Sequence, residues 1–231
     1  MPRKNVIHPT AIIDDSVAIG TGNTIGPYVV ITGQVELGDD NWIGPHVVIG
    51  APAEHQAFHQ PGKAPAPVDG GIMIGSRCII HEHIAIQAPT TGNTVIGSEA
   101  FLMHGVHIPH DAIIEEAVTI APMAVLGGHA FIGSGATIGM GAVIHQRRRI
   151  GPLAMVAMQA SVVHDVAPCS VVVGNPARFM KVNQIALDKM PLEGGPWEQE
   201  LLKPFDVWDF SLFPEILQLK FKTFSDALNS R

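Results

Sequence analysis

The stretch from Ile96 to Ile120, IGSEAFLMHGVHIPHDAIIEEAVTI, places an aliphatic residue at every sixth position. A six-residue step would turn the position on an α-helix by about 600°, a net 240°, so no helical face collects these residues. Ordinary meandering strands would show alternation at period two instead. The step is typical of a triangular β-solenoid, in which each unit forms one short side and one corner and the aliphatic residue points inward.

The same step extends to both sides of this stretch. It covers Ile7 to Ile49, returns from Ile74 to Ile86, and runs unbroken from Ile96 to Val162 after a shift of four positions. Three units would close a coil of about 18 residues, and residues one coil apart would then stack about 4.8 Å apart. We therefore predict an all-β solenoid domain over residues 1–183, interrupted by an excursion loop at 51–71.

The tail, residues 184–231, differs in composition from the solenoid. It is richer in tryptophan and phenylalanine, and after Phe213 its apolar residues follow helical spacing. We predict a short, partly helical C-terminal cap that covers the open end of the solenoid, since terminal coils of a solenoid need a cover.

Composition excludes several classes of protein. The formal net charge is −7, with 14 Lys and Arg against 21 Asp and Glu, which argues against broad nucleic-acid binding. Two cysteines, Cys78 and Cys169, do not make a disulfide framework. The N-terminus lacks the apolar segment of a signal peptide, and no apolar run reaches the length of a membrane span. We expect a cytoplasmic protein with no membrane span.

Two neighbouring columns of the predicted stack carry polar residues that face outward. The columns contain His110, Gly128, Gln146 and His164, and Asp111, His129 and Arg147, with His107 beside them. A neutral imidazole can accept a proton from an attacking hydroxyl or amine, and a neighbouring carboxylate can orient it. A glycine N–H can receive a carbonyl oxygen that becomes negative. The patch therefore has the groups that acyl transfer needs.

A shallow patch on a narrow prism is a poor cavity. It becomes a cleft when a second prism packs beside it. We therefore expect a symmetric oligomer with sites between subunits.

Five segments carry a resemblance to a known family. They are IHPTAI from Ile7, HIPHD from His107, GGHAFIG from Gly127, VIHQ from Val143 and GNPARFMKVN from Gly174. On these residues the chain resembles the UDP-N-acetylglucosamine O-acyltransferases, which start lipid A synthesis, and relatives that acylate nucleotide-linked amino sugars. The resemblance implies a left-handed parallel β-helix of hexapeptide repeats and a homotrimer. It also implies transfer of an acyl group from acyl carrier protein or coenzyme A to a sugar nucleotide, with no tightly bound cofactor and no metal.

The resemblance also implies roles for individual residues. His110 is the general base, Asp111 its support, and the Gly128 N–H the oxyanion donor. The residues implied around the substrate are Gln56, His107, His129, Gln146 and Asn183. Met158 falls along the acyl groove, where members that take long chains carry glycine, so a short or medium acyl group is expected.

Three departures from the family pattern leave the exact sugar nucleotide open. Ala57 replaces an aspartate in the loop segment, Gln87-Ala88-Pro89 stands where the family usually has His-Arg-Gly, and Pro176 replaces a histidine. The residues also leave open whether the acceptor is a hydroxyl or an amine, and whether the donor is a carrier protein or coenzyme A.

The only basic triplet is Arg147, Arg148 and Arg149. A guanidinium fork matches phosphate geometry, so we expect a contact to the phosphates of coenzyme A or of phosphopantetheine. Arg148 falls where preceding units place a small inward alanine. Because an unpaired arginine cannot be buried there, we expect the corner to bulge.

Two alternative functions belong to other classes of protein, a metalloenzyme and a non-catalytic scaffold. A zinc enzyme like the γ-class carbonic anhydrases would use ligands from His81, His83, His104, His107 and His110, although the HxxHxxH spacing does not match that family. A non-catalytic solenoid would serve as an assembly scaffold.

Overall fold

The structure is a computed structural model that describes residues 3–55 and 68–229. These residues form 25 short strands and three α-helices. The strands are β1 Val6–Ile7, β2 Ile12–Ile13, β3 Ala18–Ile19, β4 Thr24–Ile25, β5 Val30–Ile31, β6 Val35–Leu37, β7 Trp42–Ile43, β8 Val48–Ala51, β9 Ile72–Ile74, β10 Ile79–Ile80, β11 Ala85–Gln87, β12 Thr94–Ile96, β13 Phe101–Leu102, β14 His107–Ile108, β15 Ile113–Ile114, β16 Thr119–Ile120, β17 Val125–Leu126, β18 Phe131–Ile132, β19 Thr137–Ile138, β20 Val143–Ile144, β21 Arg149–Ile150, β22 Met155–Val156, β23 Ser161–Val162, β24 Ser170–Val173 and β25 Arg178–Val182. The helices are α1 Gln184–Leu187, α2 Trp197–Glu200 and α3 Glu215–Asn229, with 3-10 turns at Phe205–Val207 and Phe210–Leu212.

From β1 to β23 every third strand joins the same sheet, which makes the triangular solenoid, and β24 and β25 extend sheet 1. Sheet 1 has the order β1-β4-β7-β10-β13-β16-β19-β22-β24-β25, sheet 2 β2-β5-β8-β11-β14-β17-β20-β23, and sheet 3 β21-β18-β15-β12-β9-β6-β3. Val6 pairs with Thr24, and Thr119 with Thr137, in parallel register one coil apart. About nine turns stack in this way. The prediction of an all-β solenoid is confirmed.

The aliphatic ladder forms the core. Ile43, Leu102 and Ile138 are fully buried, as are nearly all other members of the ladder between Ile25 and Val162. Each such side chain stabilises the fold by roughly 1.5–3 kcal/mol. Ile7 is 44% exposed, because it belongs to the first coil and only one neighbouring coil packs on it.

The interruptions of the ladder fall at one edge of the prism. We call the connections from sheet 1 to sheet 2 the first corner, from sheet 2 to sheet 3 the second corner, and from sheet 3 to sheet 1 the third corner. The excursion at 51–71 joins β8 to β9, and the four-residue shift lies between β11 and β12. Both are second-corner insertions, and the second corner also carries residues 109–112 and 127–130.

The second corner repeats one backbone conformation in successive coils. Asp111, His129 and Arg147 have φ of 58°, 58° and 59°, in the left-handed region. The His129 N–H donates to the His110 carbonyl at 3.1 Å, and the Arg147 N–H to the Gly128 carbonyl at 2.9 Å. Non-glycine residues in this region cost roughly 1–2 kcal/mol each. The repeated geometry lines their side chains up along the edge.

The expected bulge at Arg148 is wrong. Its N–H donates to the His145 carbonyl at 3.2 Å, the same bond that Ala130 makes to Gly127 one coil earlier, and its carbonyl accepts from Phe131 N–H. The corner is therefore regular. The side chain stays partly buried, and Nη1 lies 3.6 Å from Oδ1 of Asp165, so the charge is paired without a change of backbone.

The expectation that the tail covers the open end of the solenoid is also wrong for helix α3. Phe224 of α3 packs on Phe131 with ring centroids 6.3 Å apart, and Lys220 reaches Glu116 at 3.6 Å. Helix α3 thus lies along the outer face of sheet 3, across several coils. The aromatic residues of the tail form a second core with Leu153 and Cys169 of the third corner. The reason is that Phe131 presents apolar area on the side of the prism.

Two exclusions from composition can be checked on the described residues. Cys78 and Cys169 are buried free thiols. Within residues 3–55 and 68–229, no helix has both the length and the hydropathy to span a bilayer.

Candidate active site

His110 and Asp111 form a pair at the second corner. His110 Nδ1 lies 2.8 Å from Asp111 Oδ2. The carboxylate has no proton to give, so Nδ1 must carry the proton and donate it. This fixes the tautomer in which Nε2 holds the free lone pair. The pair therefore presents a proton acceptor at Nε2.

A loop one coil earlier surrounds the Asp111 carboxylate. Thr90 Oγ1 donates at 2.6 Å, and the N–H groups of Thr90, Thr91 and Gly92 donate at 3.1, 3.0 and 3.0 Å. Burial by itself would raise the pKa of Asp111, but hydrogen bonds from Thr90, Thr91 and His110 lower it well below its usual range. Asp111 therefore stays ionised and holds His110 in one orientation.

Gly128 lies directly under the His110 ring. A Cβ placed on Gly128 would lie 2.6 Å from His110 Cε1 and 2.7 Å from Nε2, so only glycine leaves room for the ring here. In the part of the chain that the structure describes, the N–H of the buried residue Gly128 donates no hydrogen bond. Buried N–H groups without an acceptor are rare. This one is available to an incoming oxygen.

His129 completes the cluster and approaches the same Asp111 oxygen as His110. Its Nε2 lies 3.6 Å from Asp111 Oδ2, and its ring centroid is 5.2 Å from that of His110. Burial lowers the pKa of His129, Asp111 opposes this, and the charges of Arg147 and His110 lower it further. His129 is therefore neutral near pH 7, so it does not compete with His110 for the Asp111 carboxylate.

Residues from two other segments approach His110. Gln87 Oε1 accepts from the His110 backbone N–H at 3.3 Å. The His55 ring, at the described end of the excursion, lies edge-on to His110 with centroids 6.2 Å apart. His107 stands on sheet 2, where it pairs with Val125 as the spacing predicted. Gln56, expected beside the substrate, lies outside the described residues.

Of three further residues expected beside the substrate, Gln146 shares the second corner with His110, and Asn183 and Met158 lie at other corners. Gln146 is exposed on the second corner, beyond Gly128. Asn183 lies at the third corner, where its Nδ2 donates to the Leu153 carbonyl at 2.7 Å. Met158 is at the first corner with 71% of its surface exposed. A single chain does not bring Asn183 and Met158 to the His110 pair.

The arginine triplet lines a cleft beside the pair. The cleft has a volume of about 460 Å³ and is bounded by Asp111 and His129 at one end and by the arginines at the other; its lining residues are Asp111, Ile113, His129, Ala130, Phe131, Arg147, Arg148, Arg149 and Ala227. Helix α3 therefore closes one side of it.

The histidines proposed as zinc ligands are divided between corners. His81, His83 and His104 lie at the first corner, where Glu82 contacts both His81 and His104. Among residues 3–55 and 68–229, the group whose ligand atoms come close enough for a metal is His110, Asp111 and His129. Both Asp111 oxygens already accept several hydrogen bonds, so the carboxylate fits a hydrogen-bond acceptor better than a metal ligand.

Sequence reasoning missed the loop that holds Asp111. Thr90, Thr91 and Gly92 belong to the four-residue shift of the repeat between Ile86 and Ile96. The shift was visible as a break in period, and its position one coil before His110 is the signal that could have placed these residues beside Asp111.

Comparisons with known proteins bear on the repeat family and on the fold. A model described as bacterial transferase hexapeptide (six repeats) matches residues 93–128. The acyl-[acyl-carrier-protein]--UDP-N-acetylglucosamine O-acyltransferase of Gloeothece citriformis is 36% identical over 120 residues, which are 51% of this chain and 44% of that protein. The chain thus spans less than half the length of this curated relative.

Two solved structures share the fold over more of the chain. The UDP-N-acetylglucosamine acyltransferase of Francisella novicida superposes with a TM-score of 0.72 at 25% identity, covering 97% of this chain and 84% of that one. The enzyme of the same name from Campylobacter jejuni gives a TM-score of 0.67 at 25% identity, covering 79% of this chain and 77% of its own. The expected left-handed parallel β-helix is confirmed. The chain is a hexapeptide-repeat protein that resembles the UDP-N-acetylglucosamine O-acyltransferases in sequence and in fold.

Proposed function

We propose that this protein is an acyltransferase that moves an acyl group from a thioester to a hydroxyl or amine of a nucleotide-linked amino sugar. The observation that carries the proposal is the His110–Asp111 pair, held by Thr90 to Gly92 and packed against Gly128. Relatives whose names include acyl carrier protein and UDP-N-acetylglucosamine support the class of both substrates.

The chemistry follows from the tautomer of His110. Nε2 removes the proton of the sugar hydroxyl or amine as that group attacks the thioester carbonyl. The Gly128 N–H donates to the oxygen as it becomes negative. Asp111 stabilises the imidazolium that forms. When the tetrahedral intermediate collapses, the carbon–sulfur bond breaks and the imidazolium returns its proton to the leaving thiolate.

The remaining site residues are assigned to substrate binding. His129 and Gln146 lie on the second corner with the pair, His107 stands on sheet 2 just before it, and Gln56 and Asn183 would complete the acceptor site. The donor is an acyl carrier protein or coenzyme A thioester, with no tightly bound cofactor. Such a reaction belongs to lipid A and lipopolysaccharide synthesis in the cytoplasm.

A thioester assay tests the proposal. Purified protein would be given acyl-coenzyme A and, separately, acyl carrier protein thioesters with UDP-N-acetylglucosamine or other nucleotide-linked amino sugars. We expect thiol release that requires the acceptor and persists in the presence of a chelator. The absence of thiol release with every pair would favour a scaffold. Activity that chelation abolishes and zinc restores would instead support a zinc enzyme.

We predict a homotrimer with sites between subunits. Met158 and Asn183 lie on other corners than His110, so a complete site needs these residues from a neighbouring copy. Light scattering at micromolar concentration should give about three times the chain mass of 24.6 kDa. A stable monomer would contradict this prediction.

Met158→Gly is expected to shift donor preference toward longer acyl chains. Met158 is exposed at the first corner and in the oligomer would fill the end of the acyl groove. Each further CH₂ that the groove can bury contributes roughly 0.8 kcal/mol. A competition assay across acyl chain lengths measures the shift. Met123→Gly, at the same corner about two coils earlier, is the control. If the preference among acyl chain lengths does not change, Met158 is only a packing residue.

A further inference from the structure

The arginine triplet places positive charge in one cleft of a chain whose net charge is negative. The chain has a formal net charge of −7, yet three consecutive guanidinium groups line one cleft. Arg148 is paired to Asp165 at 3.6 Å. Arg147 is exposed and forms no ion pair with a carboxylate in the part of the chain that the structure describes. Asp111, at the other end of the cleft, already accepts hydrogen bonds on both oxygens. The cleft therefore keeps positive charge that faces solvent.

The position of this charge follows from the coil geometry. Asp111, His129 and Arg147 occupy the same place in successive coils and share one backbone conformation. At about 4.8 Å per coil, the Arg147 backbone lies only about 10 Å along the edge from that of Asp111. A ligand that contacts His110 with one group can therefore reach the arginines with another.

The chemistry of the cleft selects an anion with several oxygens. Guanidinium forks bind phosphate oxygens through paired, charge-assisted hydrogen bonds. His129, which is neutral near pH 7, adds one more possible hydrogen-bond donor without adding charge. We propose that the cleft between His129 and Arg147–Arg149 binds a phosphate group of a substrate, an inference that rests on the acyltransferase function proposed above. Two sources carry that group, the diphosphate of the sugar nucleotide and the phosphates of coenzyme A or phosphopantetheine.

The short distance favours the sugar nucleotide as the source. In a sugar nucleotide only a sugar ring separates the reacting group from the diphosphate. In coenzyme A a long flexible chain with two amide groups separates the sulfur from the nearest phosphate. The spacing of two coils between Asp111 and Arg147 matches the separation in the sugar nucleotide better. Helix α3, which lines the cleft through Ala227, also limits the room for the long chain of coenzyme A to fold.

Calorimetric titration of the intact protein tests the proposal without measuring turnover. The probes are inorganic pyrophosphate, UDP, coenzyme A and uridine, which lacks phosphate. Arg147→Ala should weaken binding of a phosphate-bearing probe about 10- to 100-fold, and Arg147→Lys should restore part of the affinity. Uridine binding should not change. Arg77→Ala, which removes the same charge at the third corner beside Glu99, is the control and should bind like the wild type.

The outcomes separate the two sources. Loss confined to UDP and pyrophosphate assigns the cleft to the sugar nucleotide, and loss confined to coenzyme A assigns it to the donor. If the wild type binds none of the phosphate probes, or if Arg147→Ala leaves all their affinities within twofold of wild type and of Arg77→Ala, the phosphate site is wrong. If phosphate binding depends on Arg147 while no thioester is consumed, the acyltransferase proposal fails and the phosphate site stands.

Discussion

Replacing His110 with alanine is expected to lower turnover by about 10²- to 10⁴-fold. The variant loses the proton acceptor at Nε2, so a sugar hydroxyl or amine must attack while it still holds its proton. The Gly128 N–H and the substrate contacts remain, which is why some activity should survive. Initial rates at saturating donor and acceptor measure the effect.

The control for this variant is His164→Ala. His164 lies farther along the same column of the second corner, is exposed, and has no part in the proposed reaction. It should keep wild-type turnover. Circular dichroism and light scattering should show the same fold and assembly for both variants. A His110→Ala enzyme with wild-type turnover would remove His110 as the base.

Asp111→Asn is expected to lower turnover by a similar factor, about 10²- to 10⁴-fold. The carboxylate accepts from His110 and from groups of Thr90, Thr91 and Gly92. An asparagine must turn its NH₂ toward some of these donors. If the NH₂ faces the loop, the hydrogen bonds from the loop are lost. If it faces His110, it donates to Nδ1 and forces the other tautomer, in which Nε2 carries the proton and cannot act as a base.

The same substitution should change stability and its dependence on pH. Where the NH₂ of the asparagine faces the loop, N–H groups of the loop lose their acceptor, which costs roughly 1–3 kcal/mol of folding free energy at neutral pH. The folded pKa of Asp111 lies below its ordinary value of 3.8, so its stabilising contribution is complete above that value and is lost as pH falls toward the lower folded pKa. Urea unfolding at pH 7 and at acid pH should therefore show the difference between wild type and Asp111→Asn narrowing as the solution becomes acidic.

The matched control is Asp14→Asn. Asp14 is a second-corner carboxylate near the N-terminal end, and its Oδ2 accepts from the Gly33 N–H at 3.1 Å. Because Asp14 is exposed and distant from His110, the change should leave turnover intact and reduce stability only slightly. Equal losses of activity in both variants would mean that Asp111 acts through general stability and not through His110.

The solenoid and the alignment of its polar edge could be predicted from the sequence alone. The six-residue ladder determines which side chains point inward, and a coil of 18 residues determines which side chains stack. His110 over Gly128, and Asp111 beside His129, follow from that period alone. A regular repeat translates position in the chain directly into position in space, because each coil contacts only its neighbours.

Only the tertiary structure determined the contacts of the segments that depart from the six-residue period. The loop with Thr90 to Gly92 has no repeat position, so its contact with Asp111 depends on how the insertion folds back over the next coil. Arg148 and Asp165 form their pair where sequence predicted a bulge. Helix α3 packs on Phe131 at the side of the prism, and so closes the arginine cleft. These contacts join segments far apart in the chain through side-chain shape and charge, and no local period of the sequence encodes them.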